Sequence, residues 1–190
     1  VVGNIGSERR AKYGVVGTTV NLCSRIESCT VGGQILLSET TLEAAGVPLE
    51  TGTRLTIVPK GVGRPVTLHE LVGVGPPPDV RLQRATPPLV EVGRALHLRY
   101  VPVEDKRVGD AAFSARVLRL STAEAEIEPA EGAPVPEVLD DFNLRLLDPQ
   151  GGEYPFEIYA KAMRREGRRC VLRFTSVPPA ALDLLASHLG

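Results

Sequence analysis

Along residues 113–121, FSARVLRLS, apolar and polar side chains alternate, the period of a strand with one face on a core. The same rhythm returns in ALHLRYVPV (95–103), AEAEIEP (123–129), FNLRLLD (142–148), EIYAKAMRR (157–165) and RCVLRFTS (169–176). Short strands separated by turn residues predict a small β-barrel or sandwich. The period then lengthens in PPAALDLLASHL (178–189), an amphipathic helix whose first turn suits Pro178 or Pro179.

The first seventy residues read differently. VVGNI is the end of a strand and YGVVG a short second one. Gly17 allows a tight turn, and Thr18 or Thr19 can cap a helix running to about Cys29. Val20, Cys23 (or Leu22) and Ile26 fall near helical spacing and predict its buried stripe. QILLS is a strand, and SETTLEAAG a short helix capped by Ser38 and stopped at Gly46. TRLTIVPKGVGRPVTLHELVGV predicts two strands joined by a Lys-Gly turn. Helices mixed with strands indicate an α/β or α+β layer structure.

Between the two patterns lies GVGPPPDVRLQRATPP (73–88), whose five prolines favour an extended connector. The expected organisation is a first segment at 1–74, a proline-rich linker at 75–88 and a second segment at 89–190. No internal repeat is evident.

Composition narrows the function classes. Hydrophobic residues make up 43% of the chain, enough for ordinary cores despite few aromatics and no Trp. A formal net charge of −1 argues against nucleic-acid binding, which needs a basic excess. No apolar run approaches the roughly 18 residues of a membrane span, so no membrane partner is expected within this sequence. Cys23, Cys29 and Cys170 form an odd set without metal-ligand spacing, which favours reduced thiols and a cytoplasmic setting. The opening VVGNIGSE, apolar and without Met, leads to the expectation of a piece of a longer protein.

Asn21 and Arg25 are the first chemical candidates. One helical turn apart, they share a face that Val20 and Ile26 do not occupy. A guanidinium fork fits phosphate oxygens, and an amide beside it can orient a ribose. A glycine turn ahead of the helix lets a ligand approach closely. By itself the pair reads as a solvated face.

The longer pattern adds more. G-x-I-G-S at 3–7, Y-x-x-x-G-x-x-V-N-x-x-x-R at 13–25, G-G-Q-I-L-x-S at 32–38 and the K-G turn at 60–61 stand in one order. Residues 1 to about 73 thereby resemble the C-terminal half of class III adenylate/guanylate cyclase catalytic domains. The resemblance implies attack of the ATP 3′-hydroxyl on the α-phosphate with loss of pyrophosphate, helped by Mg²⁺ or Mn²⁺. It assigns Asn21 to the ribose, Arg25 to the α-phosphate charge and Lys60 to the terminal phosphates, with Gly14 and Gly17 in the nucleotide site. Gly14 departs from the Asp or Thr common in adenine-selective relatives, so ATP is the default on family grounds alone.

The family's metal-binding aspartates and base-contacting lysine belong to the first half of the domain, before residue 1. Glu8, Glu27, Glu39, Glu43, Glu50 and Glu70 are scattered and do not replace them. The expectation is that these residues alone do not cyclise ATP, whereas a complete domain paired head-to-tail with a second cyclase subunit as a homodimer does.

The second segment is similar, more loosely, to PilZ domains, six-stranded barrels that often bind cyclic di-GMP. ARVLRLSTAEAEI and the closing strands and helix carry the likeness. In the [D/N]-x-S-x-x-G motif only Ser121 fits, since Arg119 and Glu124 replace the acid or amide and the glycine. No R-x-x-x-R precedes it; RLQR has the wrong spacing and Arg94 and Arg99 are five apart. Those departures speak against cyclic di-GMP and for a regulatory or docking module. His69, His97 and His188 show no ligand spacing, Cys23 reads as a small buried hydrophobe, and RREGRR (164–169) as a charged hairpin turn.

The fold class is therefore α+β, a partial class III cyclase with a ferredoxin-like βαβ-type sheet. An all-β six-stranded PilZ-like barrel with a C-terminal helix follows. The leading expectation is an adenylate cyclase of intracellular signal transduction. The alternatives are an inactive cyclase-like dimerisation domain and a cyclic di-GMP-responsive binding protein.

Overall fold

A computed structural model describes residues 1–7, 10–59, 63–77, 79–82, 86–104 and 107–189. Contacts divide the chain into Val1–Arg84 and Ala85–Gly190.

In the first unit, β1 (Val2–Ser7) and β2 (Arg10–Val15) form an antiparallel hairpin with Gly3 opposite Gly14. Helix α1 (Thr18–Glu27) follows. Strand β3 (Leu36–Ser38) leads into α2 (Glu39–Glu43), where Ser38 Oγ accepts the Thr41 N–H at 3.3 Å. β4 (Leu49–Ile57) and β5 (Val66–Val74) complete an antiparallel sheet in the order β3-β5-β4. Gly46 stands beyond α2 at φ +64°, the left-handed conformation expected of a helix stop. The expected Lys60–Gly61 turn lies outside the described residues.

Two local expectations are corrected. Neither Thr18 nor Thr19 caps α1; the cap is Gly17, with no side-chain hydrogen bond, so both threonines lie inside the first turn. The predicted stripe is not buried either. Val20 and Cys23 are exposed, and only Leu22 and Ile26 are half-buried, because β3 is the strand that α1 packs against. The unit's buried apolar side chains are few, chiefly Val31, Leu36 and Leu68.

One strand arises inside the proline-rich stretch. β6 (Val80–Arg81) pairs with β5, Gly73 opposite Arg81. Arg81 ties it down by a forked pair to Glu50, at 2.5 and 2.6 Å.

The second unit is a barrel. Its strands are β7 (Val90–Glu104), β9 (Phe113–Leu120), β10 (Glu124–Pro129), β11 (Asp141–Leu147), β12 (Ile158–Glu166) and β13 (Arg169–Ser176). A two-residue β8 (Arg107–Val108) pairs back onto β7. The ladder runs β11-β12-β13-β10-β9-β7, and the pairing of β7 with β11 closes it. Closure removes the free edges that an open sheet would present. Inward side chains at alternate positions, among them Leu96, Leu98, Val117, Ile127, Leu144 and Leu172, fill the interior. The Tyr100 ring meets Phe142 edge-on at 5.8 Å, and its hydroxyl donates to the Pro134 carbonyl. Helix α3 (Pro179–Ser187), with proline in its first turn, inserts Ala181 and Leu185 into the same core. RREGRR is the β12–β13 turn, made possible by Gly167 at φ +61°. The expected fold class is the one observed.

Candidate nucleotide site and barrel face

The helix α1 presents Asn21 and Arg25 on an exposed face, four residues apart. The Asn21 N–H closes the first helical turn on the Gly17 carbonyl at 3.0 Å. Among the described residues no hydrogen bond or ion pair engages the Asn21 amide or the Arg25 guanidinium, so both are available to a ligand. Gly17 is extended (φ 166°), a conformation any residue adopts, and a Cβ there would meet nothing within 4 Å. The expected conformational need for glycine at 17 is thus corrected: the residue leaves open space ahead of the helix. At Gly14, a Cβ would meet only Ile5 Cδ1 at 3.5 Å, ordinary contact. Gly14, Gly17, Asn21 and Arg25 all belong to the β2–α1 passage, while Lys60 lies outside the described residues.

No group of three or more His, Cys, Asp or Glu among the described residues could hold a metal ion. The carboxylates among the described residues are too scattered to form a ligand set for a divalent ion. His69 Nε2 is buried without a hydrogen-bond partner, 3.8 Å from Glu39 Oε1. His97 is exposed, and His188 Nδ1 sits 2.9 Å from the Leu184 carbonyl. Among the described residues no helix is long and apolar enough to cross a membrane.

On the barrel, β10 carries Glu124, Glu126 and Glu128 on its outer face, each facing an arginine in register. Glu124 pairs with Arg173, Glu126 with Arg119 and Glu128 with Arg116, at 2.6, 2.5 and 3.2 Å. The hydrogen bond from Arg119, against the cost of burial, holds the Glu126 carboxyl below its ordinary 4.5. Ser121 is buried and spent on its own turn, its Oγ accepting the Ala123 and Glu124 N–H groups. A groove of about 700 Å³ lies over Glu91, Arg116, Arg119, Glu126 and Arg169, with Arg119 already committed to Glu126. Sequence reading missed this ladder. Its signal was a glutamate at every second position of 124–128 beside arginines in the neighbouring strands.

Residues 1–61 match the model of the adenylate and guanylate cyclase catalytic domain. A structure titled crystal structure of the guanylyl cyclase Cya2 is 56% identical, over 43% of this chain and 42% of that one, with a TM-score of 0.39. The chain therefore spans less than half the length of that relative. The PilZ domain of CeSA from a cellulose-synthesizing bacterium shares 12% identity over 52% of this chain and 92% of its own, with a TM-score of 0.37. The inhibitor of motility MotI/DgrA of Bacillus subtilis shares 12% over 75% and 74%, with a TM-score of 0.39. No curated protein matches. Residues 1–61 of the first unit thus match the adenylate and guanylate cyclase catalytic domain, and a closed six-stranded barrel follows them in the chain.

Proposed function

We propose that the first unit supplies the ribose- and phosphate-contacting half of a nucleotide cyclase site. In the reaction, the 3′-hydroxyl oxygen of a purine nucleoside triphosphate attacks the α-phosphorus and the bond to pyrophosphate breaks. Asn21 holds the ribose so that the hydroxyl lies in line. Arg25 donates a fork of N–H groups to the α-phosphate oxygens, where charge grows in the transition state. Lys60 meets the departing phosphates. The observation that carries this reading is the family match over residues 1–61, together with an amide and a guanidinium on one exposed helix face that have no partner among the described residues.

An exposed helix face is half of a crevice. The grooves of the barrel are lined by other residues, and the chemistry of the side chains outweighs cavity size here. A second cyclase subunit, arranged head-to-tail, would complete the site with metal-binding carboxylates. Exposed apolar side chains on the β1–β2 hairpin, Val2, Ile5, Tyr13 and Val15, support such docking. ATP is the substrate of the primary reading. GTP is the second, because the relative 56% identical to this chain is named a guanylyl cyclase and Gly14 offers the base no side-chain contact. The barrel acts as a regulatory or docking module, with Arg116, Arg119 and Arg173 occupied by Glu128, Glu126 and Glu124.

The test is an assay of the complete catalytic domain with ATP and with GTP. Cyclic nucleotide should form, and Arg25→Ala should lower turnover by about 10²–10³. Turnover unchanged in that variant removes Arg25 from the site. No product from either nucleotide leaves the inactive dimerisation reading.

A further inference from the structure

Arg173 on β13 reaches in two directions. Its Nε donates to Glu124 Oε1 at 2.7 Å, and one terminal nitrogen lies 2.6 Å from the same oxygen. That nitrogen also donates to Thr86 Oγ1 at 3.0 Å. Glu124 faces Arg173 in the β10–β13 register, and the two side chains are only 14% and 21% exposed. Glu124 is itself held at its backbone, where its N–H donates to Ser121 Oγ at 2.9 Å and its carbonyl accepts the Ser121 N–H at 2.8 Å.

A charge pair largely removed from water is screened weakly, so Glu124 orients the guanidinium before Thr86 arrives. Ordering Thr86 then costs little side-chain freedom on the arginine. Thr86 is exposed, and its side chain has no other hydrogen bond among the described residues. It stands directly before Pro87 and Pro88, whose locked φ angles transmit its position toward β7. At the other end of this short lead, Val90 enters the ladder opposite Leu120.

We propose that Glu124, Arg173 and Thr86 form a clasp that fixes the end of the connector on the barrel wall. With the clasp closed, residues 86–89 are a rigid lead into β7. With it open these four residues are free chain. The barrel thus sets whether residues 86–89 are mobile, without needing a bound ligand to do so.

Backbone order parameters from ¹⁵N relaxation on the full 190-residue chain test this. The Thr86 and Leu89 amides should stand near about 0.85 in the parent, and the amides at those positions should fall below about 0.6 in both Glu124→Gln and Thr86→Val. Barrel amides such as Leu120 and Leu172 should stay unchanged. Thr86→Val removes only the acceptor and leaves the buried pair intact, so it reads the clasp even where Glu124→Gln unfolds the barrel. Order parameters equally high at 86 and 89 in Thr86→Val, or already low in the parent, overturn the proposal.

Discussion

Cys23 and Cys170 carry the same thiol in opposite surroundings. Burial pushes the Cys170 thiol up to about 12, so almost no thiolate forms at neutral pH, whereas Cys23 lies exposed on α1. A thiol reagent should therefore label Cys23 in the folded chain and Cys170 only after denaturation. Mass spectrometry showing both modified at one rate would contradict this burial. Glu126 gives a second residue-level expectation. Its folded carboxyl titrates below the ordinary 4.5, so its stabilisation is present above that value and disappears as pH falls through the folded one. The Tm difference between the parent and Glu126→Gln should be largest at neutral pH and shrink in acid. A difference independent of pH would mean that Arg119 does not hold the charged form.

Elements respond to packing rather than to charge. Leu144, fully buried on β11, contacts the core from the strand that closes the barrel. Leu144→Ala should cost about 2–5 kcal/mol, while Val90→Ala at an exposed strand start should stay within about 0.5 kcal/mol. Denaturant midpoints compare them directly. In the β12–β13 turn, Gly167 at φ +61° tolerates no Cβ without strain, so Gly167→Ala should cost about 1 kcal/mol although the space around it is open. The barrel strands were legible as alternating runs because one face of each is buried. Helix α1 was legible in position but not in burial: periodicity marks a stripe, and only the neighbouring strands decide whether anything covers it.

At the scale of the whole chain, the two units differ in how much apolar surface they bury. The continuous core, from Leu96 to Leu185, belongs to the second unit, while the first buries chiefly Val31, Leu36 and Leu68. Hydrophobic burial dominates the favourable side of folding, so the first unit should open at lower denaturant. Hydrogen exchange along the chain should show β10 and β13 protected after β4 and β5 have exchanged. The reverse order would place the stabilising core in the wrong unit. The candidate site shows the same split. Its motif residues could be found by spacing, whereas the evenly spaced glutamates of β10 could not be matched to their arginines, which come from strands before and after it.

What the amino-acid order determined alone was local. Alternation marked strands, Ser38 and Gly46 bounded a helix, and the run from Gly3 to Arg25 carried the cyclase likeness, because each is a matter of neighbours within a few residues. Tertiary structure decided the rest. It closed β7 onto β11, drew Val80–Arg81 out of the proline-rich stretch onto β5, and matched three glutamates to three arginines. Those outcomes depend on which distant segments meet, and pairing energy belongs to both partners at once.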